Sequence, residues 1–264
     1  MEQAARREFL ENYGRIRHAE NRGSETAAYY LALPYRDLSG KNAAQWLIRG
    51  HSYRFFERRI LPVIERAAKR PLDILDLGAG NGWMSYRLSL RDHRPIALGI
   101  FTDAKDGLGA ARFYPRQFPV LEAEFDHLPV DNASVDLVIY NSSIHYSTDY
   151  RRTLSEARRV LRPAGRVVIV DSPVYRKREH GEQMVAERHR QFEKQYGFRS
   201  DAIPSIEYFD ETMLQELGRD LDIGWTIYRP WYGWSWHLRP LKARLAKRRP
   251  PSRFWILVGR FQKQ

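Results

Sequence analysis

Asp76, Gly78, Gly80, Asn81 and Gly82 fall within the segment Leu72–Trp83, LDILDLGAGNGW, and their types and spacing suit the binding of a charged small molecule. Glycines at alternate positions let the backbone approach a ligand, and a carboxylate just before them supplies a negative charge. A dinucleotide fingerprint, G-x-G-x-x-G, would need its third glycine at position 83. That residue is Trp83, so the pattern is G-x-G-x-G. The third dinucleotide glycine packs a helix closely on a strand, which an indole at the same place opposes. Asp76 would also repel a phosphate, so a cationic or zwitterionic ligand fits better. The same residues are compatible with an ordinary strand-to-helix turn.

The elements around this turn can be read from apolar periodicity. Leu72, Ile74, Leu75 and Leu77 predict a strand, and WMSYRLSL predicts the helix that follows. Strand, glycine turn and helix form the entry unit of a doubly wound α/β domain, which binds ligands beyond the carboxyl ends of its strands. Four more apolar runs follow at βαβ spacing: Ile96–Phe101, Pro119–Ala123, Val135–Tyr140 and Arg166–Asp171. Tyr150–Leu161 predicts a helix, stopped by Pro163 and turned at Gly165. Continuous apolar runs such as VDLVIY suit a parallel sheet covered on both faces.

Before this core, residues 3–13 predict a helix with Phe9, Leu10 and Tyr13 on one face, and 43–69 a helix or broken pair kinked at Pro62. After it, Arg176–Tyr196 reads as a charged helix, Asp210–Leu217 as a short helix capped by Asp210, and Ile223–Tyr232 and Ser252–Phe261 as the last two strands. One domain over 1–264 is the simplest division: a cap over 1–43, a ligand-binding core over 44–176, a helical insertion over 177–222, and a final hairpin with a basic aromatic insertion over 223–264.

Composition narrows the function classes. The chain has 264 residues, 43% hydrophobic and 29% charged, which is ordinary for a globular protein. It has no cysteine, which excludes disulfides, thiolate metal sites and thiol nucleophiles and fits a reducing compartment. The first residues, MEQAARREFLEN, lack the apolar run of a secretory signal, and a cytoplasmic location is expected. Net charge is +12, and ten of those charges lie after Asp222, where no acidic residue occurs.

The stretch from Leu72 to Asp171 resembles the class I S-adenosylmethionine (SAM) dependent methyltransferases, in their small-molecule and lipid-type subgroup. Asp76, Gly78, Gly80 and Gly82 meet E/D-x-G-x-G-x-G. Val120–Val130 is similar to x-D-A-E-x-L-P-F, Val135–Val138 to F-D-x-V, and Leu161–Arg166 to L-[KR]-P-G-G with an alanine for one glycine. The resemblance implies a Rossmann-like, doubly wound, seven-stranded sheet with an antiparallel last strand, and SAM as cofactor without a metal. It implies that Gly78, Gly80, Asn81 and Gly82 form the turn under the methionine part of SAM, with Asp76 holding its ammonium. Glu124, Phe125 and Asp126 would contact adenine, and Asn141 and Ser142 would face the methyl group and the acceptor. The family's ribose-binding acid would fall at Phe101, a departure, which leaves Asp103 as the available carboxylate or as the cap of the segment that follows it.

Methyl transfer from a sulfonium is an in-line displacement in which alignment does most of the work. A base is needed only for an acceptor that must lose a proton. His145 is the first candidate, with Tyr146 beside it, and Asp149 and His51 are weaker ones. Tyr29, Tyr30, Tyr35 and Tyr53 would either line an acceptor pocket or fill the core. Leu238, Leu241 and Leu245 share one face of a helix over 238–249 that is otherwise Lys- and Arg-rich, and four of the seven tryptophans lie between 225 and 236. Residues 231–249 suit an anionic membrane surface, RNA less well, or a solvated face. The expected function is methylation of a small or lipophilic acceptor on O, N or C. The alternatives are RNA methylation through the basic tail and SAM binding without catalysis. Asn141-Ser142-Ser143-Ile144 stands where exocyclic-amine methylases carry N/D-P-P-Y/F, which argues against such bases.

Overall fold

The computed structural model describes residues 3–198 and 202–262. Four helices precede the sheet: α1 (Gln3–Ala19), α2 (Ala27–Ala32), α3 (Ala43–Phe55) and α4 (Leu61–Ala68). The first is longer than the apolar face over 3–13 predicts. Between α3 and α4, Phe56–Ile60 makes one π-helical turn. Pro62 then falls in the first turn of α4, where its missing N–H leaves no helical bond unmade. The break at this proline is therefore absorbed one turn upstream.

The core follows as β1 (Asp73–Leu77), α5 (Trp83–Ser89), β2 (Arg94–Gly99), β3 (Val120–Glu122), β4 (Val135–Asn141), α6 (Tyr150–Val160) and β5 (Leu161–Val170). Next come β6 (Val174–Tyr175), α7 (Arg178–Tyr196), β7 (Phe209–Asp210), α8 (Glu211–Asp220), β8 (Ile223–Tyr228), α9 (Trp234–His237), α10 (Arg239–Leu245) and β9 (Ile256–Phe261).

Seven strands form one sheet in the order β3-β2-β1-β4-β5-β9-β8. The last strand, β9, runs antiparallel to both its neighbours, β5 and β8, and the other pairings of this sheet are parallel, as the resemblance implies. Strand alternation explains the continuous apolar runs. Ile74, Leu137, Ile139 and Val168 face one core with Trp46, Trp83 and Met84. Leu75, Leu77, Val138, Tyr140, Val167 and Ile169 face the other with Leu154, Ala157 and Val160 of α6. Both faces are covered, so both parities must be apolar.

Two helix starts are set by aspartate side chains, of which Asp210 is the expected cap. Asp210 accepts the Met213 N–H at 2.7 Å, and Asp149 accepts those of Arg151 and Arg152. Asp149 is thus an N-cap rather than a base. The end of α6 differs from the expected glycine turn. Leu161 is already extended, and the whole run Leu161–Val170 is strand. A Cβ on Gly165 would meet the Arg162 carbonyl at 2.9 Å and that of Asp136 at 3.1 Å. Close backbone approach, not chain reversal, requires glycine there.

Candidate active site

At the carboxyl ends of β1, β2, β3 and β4 lies a cavity of about 500 Å³. Parallel strands all deliver their carboxyl ends to this edge, and α1 lies across it. Gly78 and Gly80 line the cavity from the first turn, Gly99, Ile100 and Phe101 from the second, Ala123–Asp126 from the third, and Ser142, Ser143 and Tyr146 from the fourth. Ala5, Phe9 and Tyr13 of α1 close it. Phe9 and Tyr13 pack edge-on to Tyr146, and Tyr13 edge-on to Phe101 at 5.0 Å. Arg6 reaches Glu122 at 2.6 Å, and Arg17 pairs with buried Asp106.

The turn after β1 is built as the glycine spacing requires. Gly78, Gly80 and Gly82 all take left-handed backbone, φ 71°, 55° and 77°. The N–H groups of Gly78 and Ala79 both donate to the Leu98 carbonyl. A Cβ on Gly78 would stand 2.4 Å from Cβ of Ser143 and 3.2 Å from the Phe125 ring. Trp83 is buried against Trp46 and Tyr53, so the first turn of α5 packs on α3. Asp76 is fully buried; Oδ2 accepts from Ser85 at 2.8 Å, and Oδ1 has no partner among the described residues. Burial raises its pKa to about 6.

The other expected residues divide. Glu124, Phe125, Asp126, Ser142 and Tyr146 reach the cavity. Asp126 is held by Arg152 at 3.0 Å. Ser142 has a left-handed backbone, φ 55°, a strained conformation for a non-glycine residue. Asn81, Gly82 and Asn141 stand behind the lining; Oδ1 of Asn81 accepts the Trp83 N–H, and Oδ1 of Asn141 is buried without a partner among the described residues.

Asp103 does not reach the cavity. Its Oδ1 accepts the N–H groups of Lys105 and Asp106, both at 2.8 Å, so it caps a turn. The wall where a ribose acid was expected is Phe101 itself. Tyr29, Tyr30 and Tyr53 are core, and Tyr35 lies at the surface.

His145 is buried behind Tyr146, with ring centroids 4.5 Å apart, and is not on the cavity wall. Burial, with Arg188 and Arg49 nearby, lowers its pKa to about 3. A histidine kept neutral by folding contributes stability that is complete above its unfolded pKa and is lost as pH falls toward the folded value. Between pH 6.5 and pH 5 the loss attributable to His145 is about 1.6 kcal/mol. Denaturant titrations of His145→Gln should lack that share of the acid loss; identical pH profiles for variant and wild type would contradict it.

Arg49, Ser143 and Asp106 carry no signal in the sequence. Their roles arise from chain crossings that no local pattern records: the Arg49 guanidinium donates to Ser142 Oγ at 3.3 Å, and Ser143 Oγ donates to the Leu77 carbonyl.

Residues 75–169 match the family described as "Methyltransferase domain". The match spans the sheet core from β1 to β5, which is similar to methyltransferase domains. It is 37% identical over 101 residues to malonyl-[acyl-carrier protein] O-methyltransferase of Hahella chejuensis, covering 37% of this chain and 36% of that one. It is 34% identical over 102 residues to dimethylglycine N-methyltransferase of Parasynechococcus marenigrum, covering 37% and 36%. The chain thus spans little more than a third of the length of either curated relative. The methyltransferase fold extends further: the S-adenosylmethionine dependent methyltransferase of Mesorhizobium loti superposes with a TM-score of 0.52 at 15% identity, covering 75% of this chain and 96% of that one.

Proposed function

We propose that this chain transfers a methyl group from SAM to a small acceptor held in the cavity under α1. The observation that supports the reading is the cavity itself, lined from four successive strand ends, with Gly78, Gly80, Glu124, Phe125, Asp126 and Ser142 on its walls.

The residues present fit SAM. The buried, unpartnered Oδ1 of Asp76 suits an ammonium, and the left-handed turn at Gly78 and Gly80 brings bare backbone to the cavity wall. Glu124, Phe125 and Asp126 form a wall with both carboxylates and an aromatic face for adenosine. When bound, SAM supplies a methyl group on a sulfonium, already activated for displacement.

The protein's own share is alignment and exclusion of water. Phe9, Tyr13, Phe101 and Tyr146 enclose the cavity in aromatic rings, and Ser142 presents a hydroxyl on the acceptor side. No His or Lys lines the cavity among the described residues. With Glu124 and Asp126 assigned to adenosine, this favours an acceptor that is already nucleophilic when it binds, such as a carboxylate or an unprotonated amine. Tyr146 holds the acceptor in this reading, and neutral His145 supports it from behind. Tyr146→Ala should lower kcat/KM by about 10- to 100-fold through lost orientation.

Formation of S-adenosylhomocysteine from SAM, followed over malonyl-acyl carrier protein, dimethylglycine and a lipid extract, tests the function. Turnover on one class supports it. Tight SAM binding with no turnover on any of them leaves the non-catalytic reading instead.

A membrane-surface contact has a separate observation in its favour. Trp231, Trp234, Leu238, Leu241 and Leu245 are exposed, Trp234 at 75% and Leu245 at 77%. They share α9, α10 and the preceding turn with Arg239, Lys242 and Arg244, and the helix expected over 238–249 ends at Leu245. No helix among the described residues is long and apolar enough to cross a membrane. The protein should sediment with phosphatidylglycerol vesicles at low salt and not with phosphatidylcholine, and Trp234→Ala with Lys242→Glu should release it. Binding that ignores both lipid charge and these substitutions argues for a solvated face.

A further inference from the structure

One guanidinium near the glycine turn has no acid paired with it directly. Three guanidiniums gather there, and two of them pair with acids: Arg17 with Asp106, and Arg22 with Glu20 at 2.6 Å. Arg49, on α3, has no carboxylate within ion-pair distance among the described residues. Its contacts are the Ser142 hydroxyl at 3.3 Å and the face of Trp46 at 5.0 Å. Asp171, the acid whose field most favours the Arg49 charge, lies beyond ion-pair distance of it; its Oδ1 accepts from the Ser52 hydroxyl, which also meets the Tyr232 hydroxyl at 2.9 Å, and its Oδ2 has no partner among the described residues. Desolvation and repulsion from Arg22 and Arg17 all disfavour the Arg49 charge.

A partly buried cation without a counter-ion is costly and is relieved by an anion of matching shape. A guanidinium prefers a planar, two-oxygen partner. Ser142, which Arg49 touches, lines the cavity with a strained backbone, so the cation is joined to the site by one hydrogen bond.

We propose that Arg49 is the carboxylate anchor of this cleft, taking a ligand carboxylate in a charge-assisted hydrogen bond beside Ser142. The inference rests on the SAM reading above. A carboxylate reaches the cleft from either of two sources, the amino-acid end of SAM or the acceptor.

Calorimetry with SAM and with decarboxylated SAM, on wild type, Arg49→Met and Arg49→Lys, separates them. If the donor is the source, wild type prefers SAM by at least about tenfold, Arg49→Met binds both alike, and Arg49→Lys recovers part of the preference. If the acceptor is the source, protein saturated with S-adenosylhomocysteine gains thermal stability from malonate or octanoate but not from their amides. That difference is then lost in Arg49→Met while the SAM preference is unchanged. A wild type that shows neither preference overturns the proposal without any variant, as does an Arg49→Met protein that keeps both. Failure of wild type to bind S-adenosylhomocysteine at all removes the SAM reading itself, a distinct result.

Discussion

Asp76→Asn should weaken SAM binding on the order of 100-fold and at the same time stabilise the ligand-free protein above pH 6. Both effects follow from one buried carboxyl. Its second oxygen has no partner among the described residues, and burial holds its pKa near 6 against an ordinary value of 3.8. The folded state therefore binds the proton more tightly than the unfolded chain. Stability from the protonated form is complete below about pH 4 and is lost as pH rises through about 6. The loss is about 3 kcal/mol at neutral pH, which the neutral amide avoids. An ammonium at the free oxygen reverses the preference by favouring the ionised form, and such a charged bond contributes about 1.5–3 kcal/mol. Wild-type affinity should then fall as pH drops below about 6, and the affinity of the amide variant should stay flat. Calorimetry and thermal unfolding across this range read both. A variant that binds SAM normally, or a wild type with a flat profile, contradicts the assignment.

The second large effect is expected at Gly78. Gly78→Ala places a Cβ 2.4 Å from Cβ of Ser143, on backbone that already disfavours side chains. Left-handed strain costs about 1 kcal/mol, and overpacking about 1–3 more. Gly40→Ala isolates the first contribution, because Gly40 has φ 69° and nothing within 4 Å of the added methyl. Unfolding free energies should show about 1 kcal/mol lost at Gly40 and about 3 at Gly78, with SAM binding lost only at Gly78. Equal losses at the two positions would mean that Ser143 and Phe125 yield freely, and that the turn is not as tightly packed as its geometry indicates.

These two residues were legible in the sequence because their roles are local. A strand, an acid at its end and alternating glycines constrain one another over the short run from Asp76 to Gly82. Asp103 was not legible for the opposite reason. A carboxylate two residues past a strand serves equally as a ligand contact or as a turn cap, and backbone N–H groups at 2.8 Å decide for the cap. His145 shows the same limit. Its position after β4 is correct for an active-site residue, but the short 3₁₀ turn at Ile144–Tyr146 presents Tyr146 to the cavity and carries the imidazole behind it.

Apolar periodicity and the spacing of Asp76, the three glycines, Val135–Val138 and Leu161–Arg166 determined the sheet and its ligand-binding edge. Those features depend on contacts between neighbours in sequence and on the rule that parallel strands share one carboxyl edge. Tertiary structure alone decided what closes that edge. Phe9 and Tyr13 of α1 meet Tyr146, Tyr13 meets Phe101, and Arg49 meets Ser142, all between segments far apart in the chain. Such pairings depend on how helices outside the sheet dock over it, and side-chain type at either end carries no record of the other.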